Sequence, residues 1–206
     1  MIIIDLLGIN SFMKRMLSVF TLIKLVLLRN VNANVRIGYN IYVNNRGTLL
    51  ISKGCHIGNN VSLKIKKGAT LIIEENVILS DNVSVTVREG GVIHIGKCCR
   101  VNSYSIMTGS VELADNVIVA PFVVLISDSH QIGVPGVSID DADKKYGMIR
   151  GAIRIGARSF VGVRSIVLHN VKIGENAVIG ANSLVLDDVE DNAVVHGSKA
   201  KHKMRS

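Results

Sequence analysis

From Ile155 the chain divides into consecutive sixes, IGARSF, VGVRSI, VLHNVK, IGENAV, IGANSL and VLDDVE, and from Ile95 six more run without a break to His130. Upstream the same register continues in blocks of three sixes at 31–48, 51–68 and 73–90, separated by Leu49-Leu50, by 69–72 and by 91–94. An aliphatic residue opens 20 of these 21 hexads, Met107 being the exception, and that regularity excludes chance in an apolar-rich chain. The fifth position is small or Val/Ile except at Lys67 and Glu89, and Asn fills the fourth in nine hexads. Neither the 3.6-residue period of a helix nor a long simple alternation produces this pattern. It describes a short strand, a corner and another short strand, with Asn supplying left-handed backbone at the corner. Three such faces close a coil of 18 residues, and stacked coils pair as parallel strands around columns of Val, Ile and Leu.

Such a prism is narrow, and the composition agrees with it. Aromatic residues make up 4% of the 206 positions, Trp is absent and Pro occurs twice. Rings find little room, and backbone N–H groups are rarely given up. At 48% hydrophobic and 19% charged, the chain is not a disordered tail. Cys55, Cys98 and Cys99 form neither a disulfide framework nor a C-x-x-C metal pair, which fits a reducing cytoplasm. Cys55 and Cys99 fall in the fifth, inward column and read as small core residues. No metal site is expected.

Residues 1–30 are strongly apolar, but Lys14-Arg15 and Lys24 divide the run into stretches too short to span a bilayer. Asp5 stands where a basic n-region would precede a cleaved signal, so no signal peptide is expected. As a helix, the segment presents Ser11, Lys14, Arg15, Ser18, Thr21 and Lys24 as one polar stripe. Two readings stay open: a cap on the open end of the first coil, or a peripheral contact with a membrane surface. The basic tail 191–206 is expected to cover the other end.

The repeat stops after His130 and resumes at Ile155, leaving 131–154 as an extruded loop of 24 residues. Long loops without a repeat of their own are commonly functional. This one is polar, carries Asp140, Asp141 and Asp143, and begins directly after the histidine at the seam.

These features resemble the hexapeptide-repeat acyltransferases, and the resemblance covers residues 31–201. It implies a mainly β, single-stranded, left-handed parallel β-helix of about seven coils, with the handedness taken from the family. The segments SDSH at 127–130, KKYG at 144–147 and RIGARSFVG at 154–162 match the sugar and xenobiotic O-acetyltransferases of that superfamily. By that match His130 is the general base that takes a proton from a hydroxyl as it attacks a thioester. Asn102 matches the family's asparagine near the reaction centre, and Tyr104, Tyr146 and Arg164 are candidates for the acceptor. Asp128 occupies a corner position where Asn or Asp is expected on structural grounds, rather than as the imidazole's partner.

The resemblance further implies acetyl-CoA as co-substrate, in the groove between subunits of a homotrimer. The matching positions are Phe160, where many relatives have Trp, then Gly162, Ser165, Gly180, Ala181 and Ser183. Lys201 closes Gly197-Ser198-Lys199-Ala200-Lys201, which stands where the family has Gly-Asn-Pro-Ala-Lys. Arg164 departs from the family's usual glycine.

The expected activity is therefore acetyl transfer from acetyl-CoA to a sugar hydroxyl. A net charge of +8 suits CoA and also an acidic, for example sialylated, glycan. With the apolar N-terminus, it suggests capsule or other cell-surface polysaccharide modification in the cytoplasm, at the inner face of the membrane. Two alternatives stand beside it: an N-acetyltransferase of a nucleotide-linked amino sugar, and a non-catalytic β-helix scaffold. A zinc lyase of carbonic-anhydrase type needs an H-x4-H pair, which the chain lacks. Neither a basic helix nor an aromatic stacking platform points to nucleic acid.

Overall fold

The computed structural model describes residues 34–197, so the N-terminal segment 1–30 and Lys201 lie outside the described residues. The described chain is a three-faced prism of stacked coils. Its first face holds eight short strands from Arg36–Ile37 to Val194–Val195, its second seven from Tyr42–Asn45 to Leu184–Val185, and its third six from Thr48–Ile51 to Lys172–Ile173. Within each face every pairing is parallel and joins a strand to the equivalent strand of the next coil. We refer to the corner between the first and second faces as edge I, between the second and third as edge II, and between the third and first as edge III.

The register explains the hexads. On the first face Ile37, Ile57 and Leu79 stack in one column and Val101, Val119 and Val161 continue it. On the second, Leu63, Val85, Met107 and Leu125 do the same. These residues fill an uninterrupted core, with most side chains wholly removed from water. Asparagines of the fourth position, among them Asn60, Asn82, Asn116 and Asn176, adopt φ of 53–62°, the left-handed backbone that the corner requires. Those of edge I form a ladder, Asn40 Nδ2 donating to Asn60 Oδ1 at 2.9 Å and Asn60 Nδ2 to Asn82 Oδ1 at 3.2 Å.

Small fifth-position residues close the corners from inside. Ser105 Oγ donates to the Ala120 carbonyl at 2.9 Å and Ser159 Oγ to that of Gly174 at 2.7 Å. Cys55 and Cys99 do so with their thiols, to Glu74 and Ala114. Burial pushes the Cys99 thiol up to about 11 and raises Cys55 as well, so both are inert core groups.

The first coils differ from the expected 18 residues. Ile37 pairs with Ile57 and Ile57 with Leu79, so one turn takes 20 and then 22 residues before the spacing contracts to 18 between Val101 and Val119. The segments read as separators are not separators. Leu49, Leu71 and Ile93 lie in third-face strands and are buried, stacked on one another. The extra length sits at edge II, where Gly68 and Gly90 turn the chain at φ near 65°. Lys67 and Glu89, which broke the fifth column, are exposed there. Leucine and isoleucine suit a separator and a strand equally well, so the hexad count alone did not distinguish them.

This register makes a direct prediction. Leu71→Ala opens a cavity and lowers unfolding free energy by about 2–5 kcal/mol, whereas Lys67→Ala changes it by no more than about 0.5 kcal/mol. Chemical denaturation of the two variants checks it; an equal, small effect at both positions would return 69–72 to the surface.

Candidate functional site

The loop leaves the prism at edge II. Its two limbs, Asp128–Ser129 and Ile149–Arg150, form the one antiparallel pair among the described strands and make a neck. Arg88, from two coils earlier, holds the neck: its Nη1 donates to the Asp128 carboxylate and to the Gly151 carbonyl, the latter at 2.9 Å. Asp128 also accepts from Ser127 Oγ at 2.8 Å. It is thus committed to the neck, its hydrogen bonds running to Arg88 and Ser127 rather than to the histidine.

Beyond the neck the chain forms helix α1 (Ile139–Tyr146). Ser138 caps it, its hydroxyl accepting from Asp141 N–H at 3.2 Å, while Asp140 and Asp141 occupy the first turn and Lys144 and Lys145 the last. Gly147 ends it at φ 74°, its N–H donating to the Asp143 carbonyl. Ala142 packs inward, and the neighbouring Asp143 reaches back to the seam.

There His130 Nδ1 lies 2.5 Å from Asp143 Oδ2, and Asp143 Oδ1 accepts from Gln131 N–H at 2.8 Å. The Gln131 amide and then the imidazole hold the Asp143 carboxyl below the ordinary carboxylate range. An ionised carboxylate only accepts, so His130 Nδ1 is the donor of this contact, a tautomer that leaves the lone pair of a neutral imidazole on Nε2. The His130 side chain is 60% exposed, whereas that of Asp143 is 17% exposed. His130 lines a cavity of about 560 Å³ whose floor includes Thr86, Thr108 and Ile126, with Arg150 on the neck and His169 from the following coil. Arg88 separates it from a second hollow of about 480 Å³ on the third face.

The other sequence-predicted residues collect elsewhere. Asn102 stands at edge I, its Nδ2 donating to the Val119 carbonyl at 2.8 Å. Tyr104 lies in the same corner and stacks on Phe122 of the next coil, ring centroids 4.9 Å apart and planes 3° from parallel. Arg164 continues the column, its guanidinium 5.9 Å from the Phe122 ring centre. Phe122 carried no sequence signal of this exposed stack, since it joins Tyr104 only through the 18-residue spacing of the two coils, at corner positions held by Asn in the first three.

Gly162, Ser165, Gly180, Ala181 and Ser183 follow along edge I, with Phe160 on the adjoining first face. A Cβ on Gly162 would meet Ala181 N at 2.6 Å, so close stacking of coils requires that glycine. Ser165 and Ser183 turn inward, both donating to the Gly180 carbonyl. Tyr146 ends helix α1, beneath Lys145 Nζ at 4.9 Å from its ring centre. The candidates thus form two groups, at edge II around His130 and at edge I around Asn102, with the second face between them.

Asp143 went unassigned in the sequence because its role depends on helix phase. The Ser138-x-x-Asp141 cap was the available signal, since it fixes which of the three aspartates turns inward. Among the described residues no group of His, Cys, Asp and Glu is arranged to hold a metal ion, and no helix is long and apolar enough to cross a membrane.

The family model for bacterial transferase hexapeptide (six repeats) matches residues 152–187. A search of curated proteins finds no match. Solved structures similar to the chain include the hexapeptide-repeat acetyltransferase VCA0836 of Vibrio cholerae complexed with acetyl coenzyme A, at 19% identity over 70% of this chain and 66% of that one, with a TM-score of 0.47. A variant of AntD, an N-acyltransferase of Bacillus cereus in complex with dTDP and coenzyme A, is 19% identical over 90% and 89%, with a TM-score of 0.46. The polySia-specific acetyltransferase NeuO is 20% identical over 84% and 85%, with a TM-score of 0.47.

The Asp143 geometry sets a pH dependence. Because its carboxyl is lowered on folding, the contribution of its contacts is complete above the ordinary value near 3.9 and is lost as pH falls through the lowered one. Carbon NMR of the Asp143 carboxyl should show that lowered midpoint. In His130→Ala it should return only part of the way, since the Gln131 amide still donates. A midpoint unmoved by the substitution would remove the imidazole from the pair.

Proposed function

We propose that this protein transfers an acetyl group from acetyl-CoA to a hydroxyl of a sugar, and that the acceptor belongs to a capsular or other cell-surface polysaccharide. The observation that carries the reading is the His130–Asp143 pair at 2.5 Å, presented at a cavity on the seam of the prism. Nε2 accepts the proton of the acceptor hydroxyl as its oxygen bonds to the thioester carbonyl carbon. The tetrahedral oxyanion then collapses, the carbon–sulfur bond breaks, and the imidazolium returns the proton to the CoA thiolate. Asp143 holds the ring in the productive tautomer and offsets its transient charge, without itself taking the proton. No acyl-enzyme is formed.

Asn102, Tyr104, Arg164 and the small residues of the last coils serve this reaction from edge I, with acetyl-CoA along Phe160, Gly162, Gly180 and Ala181. Within one chain Asn102 and His130 stand at opposite ends of the second face. A centre that uses both is completed by a second copy, and the assembly proposed is a homotrimer. The setting proposed for the reaction is the cytoplasm, at the inner face of the membrane.

A thiol-release assay with acetyl-CoA and a panel of glycans tests the base. His130→Ala should lower kcat by about 10²-fold or more with CoA binding intact; acceptor-dependent turnover unchanged by the substitution would remove His130 from the mechanism. The shared site has its own test. Inactive His130→Ala and Asn102→Ala chains, unfolded and reassembled together, should regain activity at the sites that draw one intact residue from each. Mixtures as inactive as their parents would place both residues' work within a single subunit.

A further inference from the structure

We propose that the edge II groove beside His130 binds a segment of an acidic glycan chain, its negative groups held by Arg150 and Lys66. This rests on the reading of His130 as the base and names the acceptor class that the same cavity takes. The register across the second face sets Arg46 above Lys66 and Lys66 above Arg88, and carries the column on through Ser110 to Asp128. Three cations therefore follow one another at the coil spacing, about 4.8 Å. Like charges so placed repel. At the same three levels edge I carries the neutral ladder of Asn40, Asn60 and Asn82, and at edge III Lys53 is paired with Glu75 at 3.4 Å.

At edge II only Arg88 is answered, by Asp128. Arg46 and Lys66 are exposed and have no carboxylate within ion-pair distance among the described residues. Arg150 is likewise exposed and unpaired, directly across the neck from Asp128. Lys66 and Arg150 line the His130 cavity together. Its only other acidic lining group, with Asp128 engaged, is Glu89, so the unanswered charge is positive.

Shape decides between a single sugar and a chain. From the level of Lys66 to that of Asp128 the groove climbs three coils, about 14 Å, which exceeds one pyranose ring. Arg150 is cross-strand to the residue two before His130, so an anion there lies about a ring's breadth from the attacking hydroxyl. The phosphates of CoA are a full pantetheine arm from the thioester carbon that must meet the same imidazole. The acceptor is therefore the source of the anions.

The test uses short oligomers of sialic acid and of galacturonic acid, each beside its carboxyl-reduced neutral counterpart. They are titrated into the full chain and offered as acceptors with acetyl-CoA. The acidic oligomers should bind about tenfold or more tightly than the neutral ones and than their own monomers, with a preference that salt erodes. Arg150→Gln and Lys66→Gln should each raise the Kd and acceptor KM for acidic oligomers about tenfold, with the KM for acetyl-CoA unmoved. Equal binding of acidic and neutral chains overturns the proposal. So does a rise in the KM for acetyl-CoA with oligomer binding untouched, which assigns these cations to CoA phosphates. His130→Ala separates this proposal from its foundation: charge-selective binding that persists while turnover is lost supports both, and turnover that also persists removes the base alone.

Discussion

Each coil of this protein is completed by the coil above and below it, through backbone hydrogen bonds that run in register along all three faces. That constraint governs the rest. A strand of two residues, such as Ile118–Val119, has no stability of its own, and it exists because Arg100–Val101 and Phe160–Val161 flank it. The same ladder fixes the axial spacing, and with it which side chains share a column. At the corners it brings backbones so close that second-position glycines such as Gly162 admit no Cβ. Apolar columns within and corner chemistry without are two results of one spacing.

The corners show how much conformational freedom the fold gives up. Asn tolerates left-handed backbone, but Cys98, Tyr104, Phe122, Arg158 and Arg164 hold φ of 58–63° with larger side chains. Each is fixed by the ladder on either side of it, since Phe122 N–H donates to Ser103 and Arg164 N–H to Pro121 in the preceding coils. Tyr104, Phe122 and Arg164 then stack on one another, and Arg158 is bound by Asn176 and Glu175. The local cost of such backbone, of order 1 kcal/mol per residue, is met by neighbours rather than by the residue itself.

Much of the prism was legible in the sequence because each hexad position answers a local demand. The inward aliphatics, the left-handed asparagines and the buried Cys55 and Cys99 all follow from that rule. Leu71 and Ile93 did not, since their strand membership depends on the turns closed at Gly68 and Gly90, and nor did Leu49, which follows the shorter corner at Arg46 and Gly47. In the loop, His130 was marked by its place at the seam, whereas Asp143 was not. An aspartate thirteen residues away becomes a partner only when a capped helix of the right phase turns it back. Arg88 was hidden for a similar reason: its contacts are with Asp128 and Gly151, far along the chain but adjacent across edge II.

The neck also separates two inheritances. Gly151 N–H donates to the Ser127 carbonyl at 2.9 Å and Ile153 N–H to that of Ser110 at 3.1 Å, so the coil closes across the base of the loop as though the intervening residues were absent. Stacking order, core columns and corner ladders never pass through helix α1. A lineage can therefore lengthen, shorten or replace that excursion while the prism keeps its register, provided that the Arg88 clamp and the limbs of the neck survive. Changes of partner and maintenance of the fold draw on different stretches of one gene.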